Sequence, residues 1–560
     1  MSMLYVSPLI FFTYPPFVDV PQHLATLSVL RGLSDPSTGY AEKFLVEWFP
    51  NTNVGLFALD VLFRHMVSPL WEVKLFIIAY ILSTALILLW IHRLVHGRWI
   101  SAPWGVFLLF PFLYNSSLRL GLINYCMTIS LFLLWLCIIL DGIQDFLWKH
   151  CWIHCLLLGT IFLFHSQLYL FAGLCSIPVL FFLSDWKKRF RFCLGWMPSL
   201  LCFSFWYWKK FASSDGKIAF AGIDQGFGAE FVPVLGNIGS IVVHTIGFSR
   251  YVWWDKILLI FIGVMLWYWK PKHLFEGNNR AALVLWTIWL AVLCYFFLPL
   301  NIKLQFYISA RMLILACFLS VILMASFRTH HSKRVIITAT VLLPIVFFIK
   351  WVPFFQNVNA SWTSAVQLLK QIPPHAKVLG LPFQQFEFEE NDQEEHFPTH
   401  LHVASLYLLE QPGEIASNFM ILPSSPIRYR HIETANIVLP DVRSNVKPWC
   451  ALISGGWGSD SGYLLSRGTG AEWMSWLEAT QKIQLIAQNG NWFLYQKIRP
   501  LILTNREIEG WWALLGCNKR IQPITNIWHI FKIDTRDTRR FDASVEWWRK
   551  QYGIWAGGQK

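Results

Sequence analysis

The 560 residues are 55% hydrophobic and 14% charged, with mean hydropathy +0.44. Soluble domains carry about 25% charged residues, so this is a membrane protein. The net charge of +13 would suit nucleic acid, but the Lys and Arg residues lie mostly in short loops between apolar runs, which excludes that class.

The opening apolar run, 3–18, lacks a basic leader and a small-residue cleavage site, so it reads as a retained helix rather than a signal peptide. It is short for a span, which needs about 20 residues. Where it ends stands Phe17-Val18-Asp19-Val20-Pro21-Gln22-His23-Leu24. Proline suits the first turn of a helix, so a short helix over 22–32 is expected, with Asp19 just ahead of it and His23 in its first turn. Two readings are open. Asp19 caps the helix, or Asp19 and His23 are an ionisable pair at a membrane helix end, which marks a functional site.

The run 54–67 is interrupted by Asp60, Arg64 and His65. Each charge costs about 2.5–3.5 kcal/mol at mid-bilayer, so this segment is expected to lie on the surface or re-enter. Spans are expected at 73–94, 102–115, 120–140, 151–164, 168–183, 192–208, 257–269, 281–300, 306–326 and 335–352. With the opening helix they make about 11 crossings. The apolar part of loop 209–254, at 231–248, is treated as non-crossing. Basic clusters then fall on one side: Arg93/Arg98, Lys149/His150, Lys187/Lys188/Arg189/Arg191, Lys270/Lys272 and Arg328/Lys333/Arg334. By the positive-inside rule that side is cytoplasmic, as is the N-terminus. Outer loop 19–53, the 115–119 turn, His165, loop 209–254, Lys303 and Arg311 lie outside.

From 353 the composition becomes that of a soluble domain, giving a membrane domain over 1–352 and an extracytoplasmic α/β domain over 353–560. A helix is expected at 362–371 and a strand at 376–381. A second helix is expected at 471–480. A hairpin over 483–487 and 492–497 turns at Gln488-Asn489-Gly490-Asn491, since Asn-Gly is a strong hairpin signal. Cys450 and Cys517 stand in this domain and could pair outside the cytoplasm. The acidic, His-rich stretch 387–402 has no tight metal spacing and reads as a solvated loop.

Arg311 sits about five residues inside an apolar run, with Lys303 just before it. A buried arginine needs an anionic partner. That partner is an acidic side chain or an anionic ligand such as a lipid phosphate, which guanidinium grips bidentately. Arg119 is a weaker candidate for the same role. His165, at a helix end, is either structural or part of the site.

An opening helix, an outer loop that begins with an acid, many spans and an outer α/β domain together resemble the GT-C superfamily of membrane glycosyltransferases, which includes protein O-mannosyltransferases and aminoarabinose transferases. The resemblance implies transfer of a sugar, with inversion, from a polyprenyl-phosphate donor to a glycan, lipid or protein acceptor, in the bacterial inner membrane. It puts the family's acidic residue at Asp19, as base or metal ligand, and the donor-phosphate contact at Arg311. Many members have two adjacent acids. Here there is one, which weakens a metal-dependent route, leaves a divalent metal open and makes His23 a second candidate group. Lys303, His165 and Arg119 are further substrate-binding candidates. The alternatives are a transporter or flippase of lipid-linked sugars, a glycan-binding scaffold, or an inactive superfamily member. A transporter would show inverted repeats and mid-membrane charges, and neither is evident.

Overall fold

The computed structural model describes residues 2–48, 51–97, 110–212, 278–299, 308–324, 330–382, 399–416, 425, 427–430, 461–468 and 471–499. The expected elements at 231–248 and 257–269 lie outside these residues, as do Lys303, Cys450 and Cys517.

The chain opens with α1 (Ser2–Phe11) and α2 (Val20–Gly32). A short α3 (Tyr40–Lys43) and strand β1 (Phe44–Val46) follow, then α4 (Gly55–Phe63). Helix α4 has nine residues, about 14 Å at 1.5 Å per residue, against a bilayer core of about 30 Å. It does not cross, as its charged residues suggested. The Asn124 side chain fixes its start, accepting from Leu56 N at 2.9 Å and donating to Asn53 O at 3.0 Å.

The bundle continues with α5 (Pro69–His96), α6 (Phe110–Leu113), α7 (Ser116–Arg119), α8 (Ile123–Gly142), α9 (Trp148–Phe164), α10 (Ser166–Phe182), α11 (Trp186–Ala212), α12 (Asn279–Phe297) and α13 (Ile308–Met324). Among the described residues, α5, α8 and α12 are long and apolar enough to cross a membrane, and α9, α10 and α13 are shorter apolar helices. The chain is a polytopic, mostly helical membrane protein. Helix α8 is buried on nearly every side, as expected of a helix that is apolar all round, and it packs between α5 and α9. The run expected over 102–115 ends at Asn115 as expected, where the Asn115 side chain accepts from Ser117 N and Leu118 N and so starts α7.

The basic residues collect at one end of the bundle. Arg280, at the start of α12, donates to Leu140 O of α8 at 2.9 Å and to Leu94 O of α5 at 3.2 Å. A cation on carbonyls at two helix C-termini complements the helix dipole. Lys188 and Arg191 donate to Gln144 O and Phe146 O in the neighbouring α8–α9 loop.

Helix α14 (His330–Leu369) runs for 40 residues, about 60 Å. The expected separate helix at 362–371 is its last part, and the change of composition at 353 falls inside it. Beyond it lies a five-stranded sheet in the order β3-β2-β5-β7-β6, formed by β2 (Lys377–Pro382), β3 (Glu414–Ile415), β5 (Tyr463–Arg467), β6 (Ile483–Asn489) and β7 (Trp492–Lys497). Strands β2, β3 and β5 are parallel, and β7 and β6 are antiparallel. The hairpin has a two-residue loop with Gly490 at φ +57°. Helices α15 (Tyr407–Glu410) and α16 (Ala471–Ala479) complete this part.

The first outer loop is clasped by this tail. Strand β1 pairs antiparallel with β4 (Ile427–Tyr429). Arg430 N donates to Lys43 O at 2.9 Å, Lys43 pairs with Glu414, and Asn51 donates to Ser425 O at 3.2 Å.

Candidate active site

The site begins where the chain leaves α1. Val18 N donates to Arg119 O and Asp19 N to Leu120 O, at 3.0 and 3.1 Å. This short tie holds the segment before α2 against the junction of α7 and α8. Gly121 makes the approach possible. Its φ is +81°, and a Cβ there would stand 2.6 Å from Asp19 N. Only glycine fits a left-handed position with backbone so close.

Asp19 stands at the N-cap of α2, but its side chain makes no capping bond. The capping reading therefore fails for the carboxylate. Only the Asp19 carbonyl serves the helix, accepting from Gln22 N and His23 N. The freed carboxylate points toward the tail, where Asp19 Oδ1 lies 3.5 Å from His402 Nε2. Asp19 keeps 13% side-chain exposure, enough to meet a reactant. Burial pushes its carboxyl up to about 8, against a pull downward from Arg311.

His23 is in the first turn of α2, as expected. Its Nε2 donates to Gly121 O at 3.0 Å, and its ring packs against Phe57. Burial lowers it to about 4, opposed by the Gly121 bond. It is a neutral imidazole with Nδ1 as the acceptor atom.

Arg311, on α13, is 8% exposed. Its Nη1 lies 3.1 Å from His165 Nε2, and because guanidinium only donates, His165 Nε2 is the acceptor. The guanidinium also lies over the Tyr125 ring, 5.4 Å from its centre, while the Tyr125 hydroxyl donates to Arg311 O at 2.6 Å. Two residues along from His165, Gln167 donates to Ile308 O at the start of α13. His165 thus belongs to the setting that holds Arg311. The buried acids Asp60 and Glu72 are taken by another cation: Arg31 meets them at 2.6 and 2.7 Å.

Of the residues singled out in the sequence, Asp19, His23, Arg311 and His165 come into one region. Arg119 borders it through its carbonyl, while its guanidinium lies over Phe354 at 4.7 Å and Trp351 at 5.5 Å. Two residues were missed, His402 and Gln22. The stretch 387–402 was expected to be a solvated loop, yet His400 and His402 are 1% and 3% exposed. The acidic run before them, not the histidines, carried the loop reading. Gln22 Nε2 lies 3.2 Å from His402 Nδ1 across 380 residues of sequence, and no local pattern reports such a contact. Among the described residues no group of three or more His, Cys, Asp or Glu is arranged to hold a metal.

No protein-family model and no curated protein matches the chain. A solved structure does: ArnT from Cupriavidus metallidurans bound to undecaprenyl phosphate, with TM-score 0.51 and 10% identity, covering 90% of this chain and 97% of that one. The chain shares the overall fold of that structure. Because the coverage is nearly complete on both chains, the likeness extends over the helical bundle and the tail together.

Proposed function

We propose that this protein is a GT-C glycosyltransferase that transfers a sugar, with inversion, from a polyprenyl-phosphate donor to an acceptor hydroxyl at the extracytoplasmic face. One observation carries the reading: a mostly buried, uncapped carboxylate, Asp19, within the electrostatic reach of a buried arginine, Arg311. Both lie away from the basic end of the bundle. The solved structure of the same fold holds undecaprenyl phosphate, a donor-type lipid.

In this reading Asp19 takes the proton of the acceptor hydroxyl as its oxygen attacks the anomeric carbon. The bond from that carbon to the phosphate oxygen breaks, and the electron pair leaves with the polyprenyl phosphate. Arg311 meets the charge that grows on the phosphate. Lys303 and Arg119 are assigned to the donor's approach. His23, fixed by its bond to Gly121 O, is the second candidate group next to Asp19. About 11 crossings and an outer C-terminal domain belong to the same proposal.

The test uses membrane vesicles that contain the protein, supplied with radiolabelled undecaprenyl-phosphate sugars and with lipid, glycan and protein acceptors. Transfer is expected in the wild type and is abolished by Asp19→Asn at equal protein level. Full transfer by Asp19→Asn removes Asp19 as base. Movement of labelled lipid across the bilayer without transfer supports a flippase instead.

A further inference from the structure

We infer that His402 is a positioning residue for Asp19: the tail lends an imidazole N–H to the carboxylate that receives the acceptor's proton, and Gln22 sets the tautomer of that imidazole. The inference rests on the transferase reading for its functional meaning, though not for its geometry.

The hydrogen-bond network fixes the direction. The Gln22 amide nitrogen can only donate, so His402 Nδ1 is its acceptor. A neutral imidazole that accepts at Nδ1 carries its proton on Nε2. That is the atom facing Asp19 Oδ1, 3.5 Å away. Gln22 and His402 are both buried, at 0% and 3% exposure, and buried polar groups are held to defined partners. At 3.5 Å the contact is longer than a formed hydrogen bond. An ionised carboxylate is the stronger acceptor and shortens it, and catalytic contacts commonly tighten once substrate is bound.

The tail holds His402 in place by several independent ties. Ser405 N donates to His402 O at 2.9 Å, at the start of a 3-10 turn (Val403–Leu406) that packs on α2. The β1–β4 pairing and the Asn51–Ser425 bond fasten the same tail to the outer loop. The groups that face the Asp19 carboxylate come from two elements, His402 from the tail and Arg311 from α13, and His23 on α2 faces His402. His402 and Arg311 both favour the ionised carboxylate, against its burial. The site is thus complete only when the tail is docked.

The experiment is an infrared pH titration of the purified full-length protein in lipid nanodiscs. The protonated-carboxyl stretch that Asp19→Asn removes belongs to Asp19. His402→Leu is expected to move its midpoint to higher pH by about one unit. His402→Gln, which keeps an N–H donor, restores the wild-type midpoint, and Gln22→Leu gives a smaller shift in the same direction as His402→Leu. An unchanged midpoint in both leucine variants overturns the inference. If His402→Leu does not elute like the wild type, Gln22→Leu alone decides by the same criterion. Transfer assays separate the two claims. Absence of transfer by the wild type removes the transferase reading, full activity of Asp19→Asn removes Asp19 as its base, and either leaves the infrared result standing. An inactive Asp19→Asn beside leucine variants that titrate like the wild type removes only the role of His402.

Discussion

At the scale of single residues, the site sets a carboxyl that prefers its proton beside a cation that prefers it gone. Asp19 is pushed up to about 8, first by burial and then less far because of Arg311. A base works only when deprotonated, so transfer is expected to rise with pH and to level off above about 8. The pH profile of kcat/KM in vesicles measures this, and a rate that falls between pH 6 and 8 contradicts the role. Arg311 has a different signature. Its fork suits a phosphate in a way that a lysine ammonium does not, so Arg311→Lys is expected to weaken donor use while keeping some transfer. Arg311→Ala is expected to lose about 10²–10³-fold in rate, the usual cost of removing one preorganised donor. Equal rates for the wild type and the alanine variant would remove Arg311 from the reaction.

At the scale of elements, two short joints decide where the site residues go. The first is Gly121, where the α7–α8 junction touches the Asp19 backbone. Gly121→Ala places a methyl against a backbone nitrogen at a left-handed φ. Strain of about 1–3 kcal/mol is expected, together with a loss of transfer larger than that of a remote helix glycine such as Gly159, where a Cβ meets nothing within 4 Å. Thermal unfolding in detergent and transfer assays on both variants check it. The second joint is Arg31, which ties α2 to Asp60 on α4 and to Glu72 on α5. Removing one partner from a buried ion pair leaves an uncompensated charge and costs about 3–5 kcal/mol, so Arg31→Ala is expected to lower the unfolding temperature far more than Arg64→Ala. Much of this architecture is legible in the sequence because it is local. Apolar runs, Pro21 in the first turn of α2, and the turn at Gly490 each carry their own signal. Asp19, His23, Arg311 and His165 were visible as ionisable residues at odds with their apolar setting. His402 and Gln22 were not, because their meaning lies in a contact 380 residues long. The end of the apolar run at Asn115 was legible in the same way, whereas the change of composition at 353 gave no sign of the helix that continues through it.

At the scale of the whole molecule, the two ends of the bundle differ in chemistry. One end carries Arg280, Lys188 and Arg191 on the carbonyls of helix ends and loops. The other carries Asp19, the Arg31 pairs and the clasp between β1 and β4. Cations near helix ends stay where the translocation machinery leaves them, on the cytoplasmic side. In the proposed topology the site and the clasped tail face outward, where a lipid-linked donor would be used. Helix α4 is the hinge of this deduction: if it crossed, every cluster after it would change sides. Its nine residues prevent that. Two exposed positions read the result directly. Ser34 follows α2 near the Asp19 end, and Lys187 lies at the start of α11 among the cations. In a cysteine-free background, Ser34→Cys is expected to react with a membrane-impermeant maleimide in intact cells. Lys187→Cys is expected to react only after the membrane is opened. The opposite pattern would put Asp19 and Arg311 in the cytoplasm, and the outward-facing transferase would have to be given up.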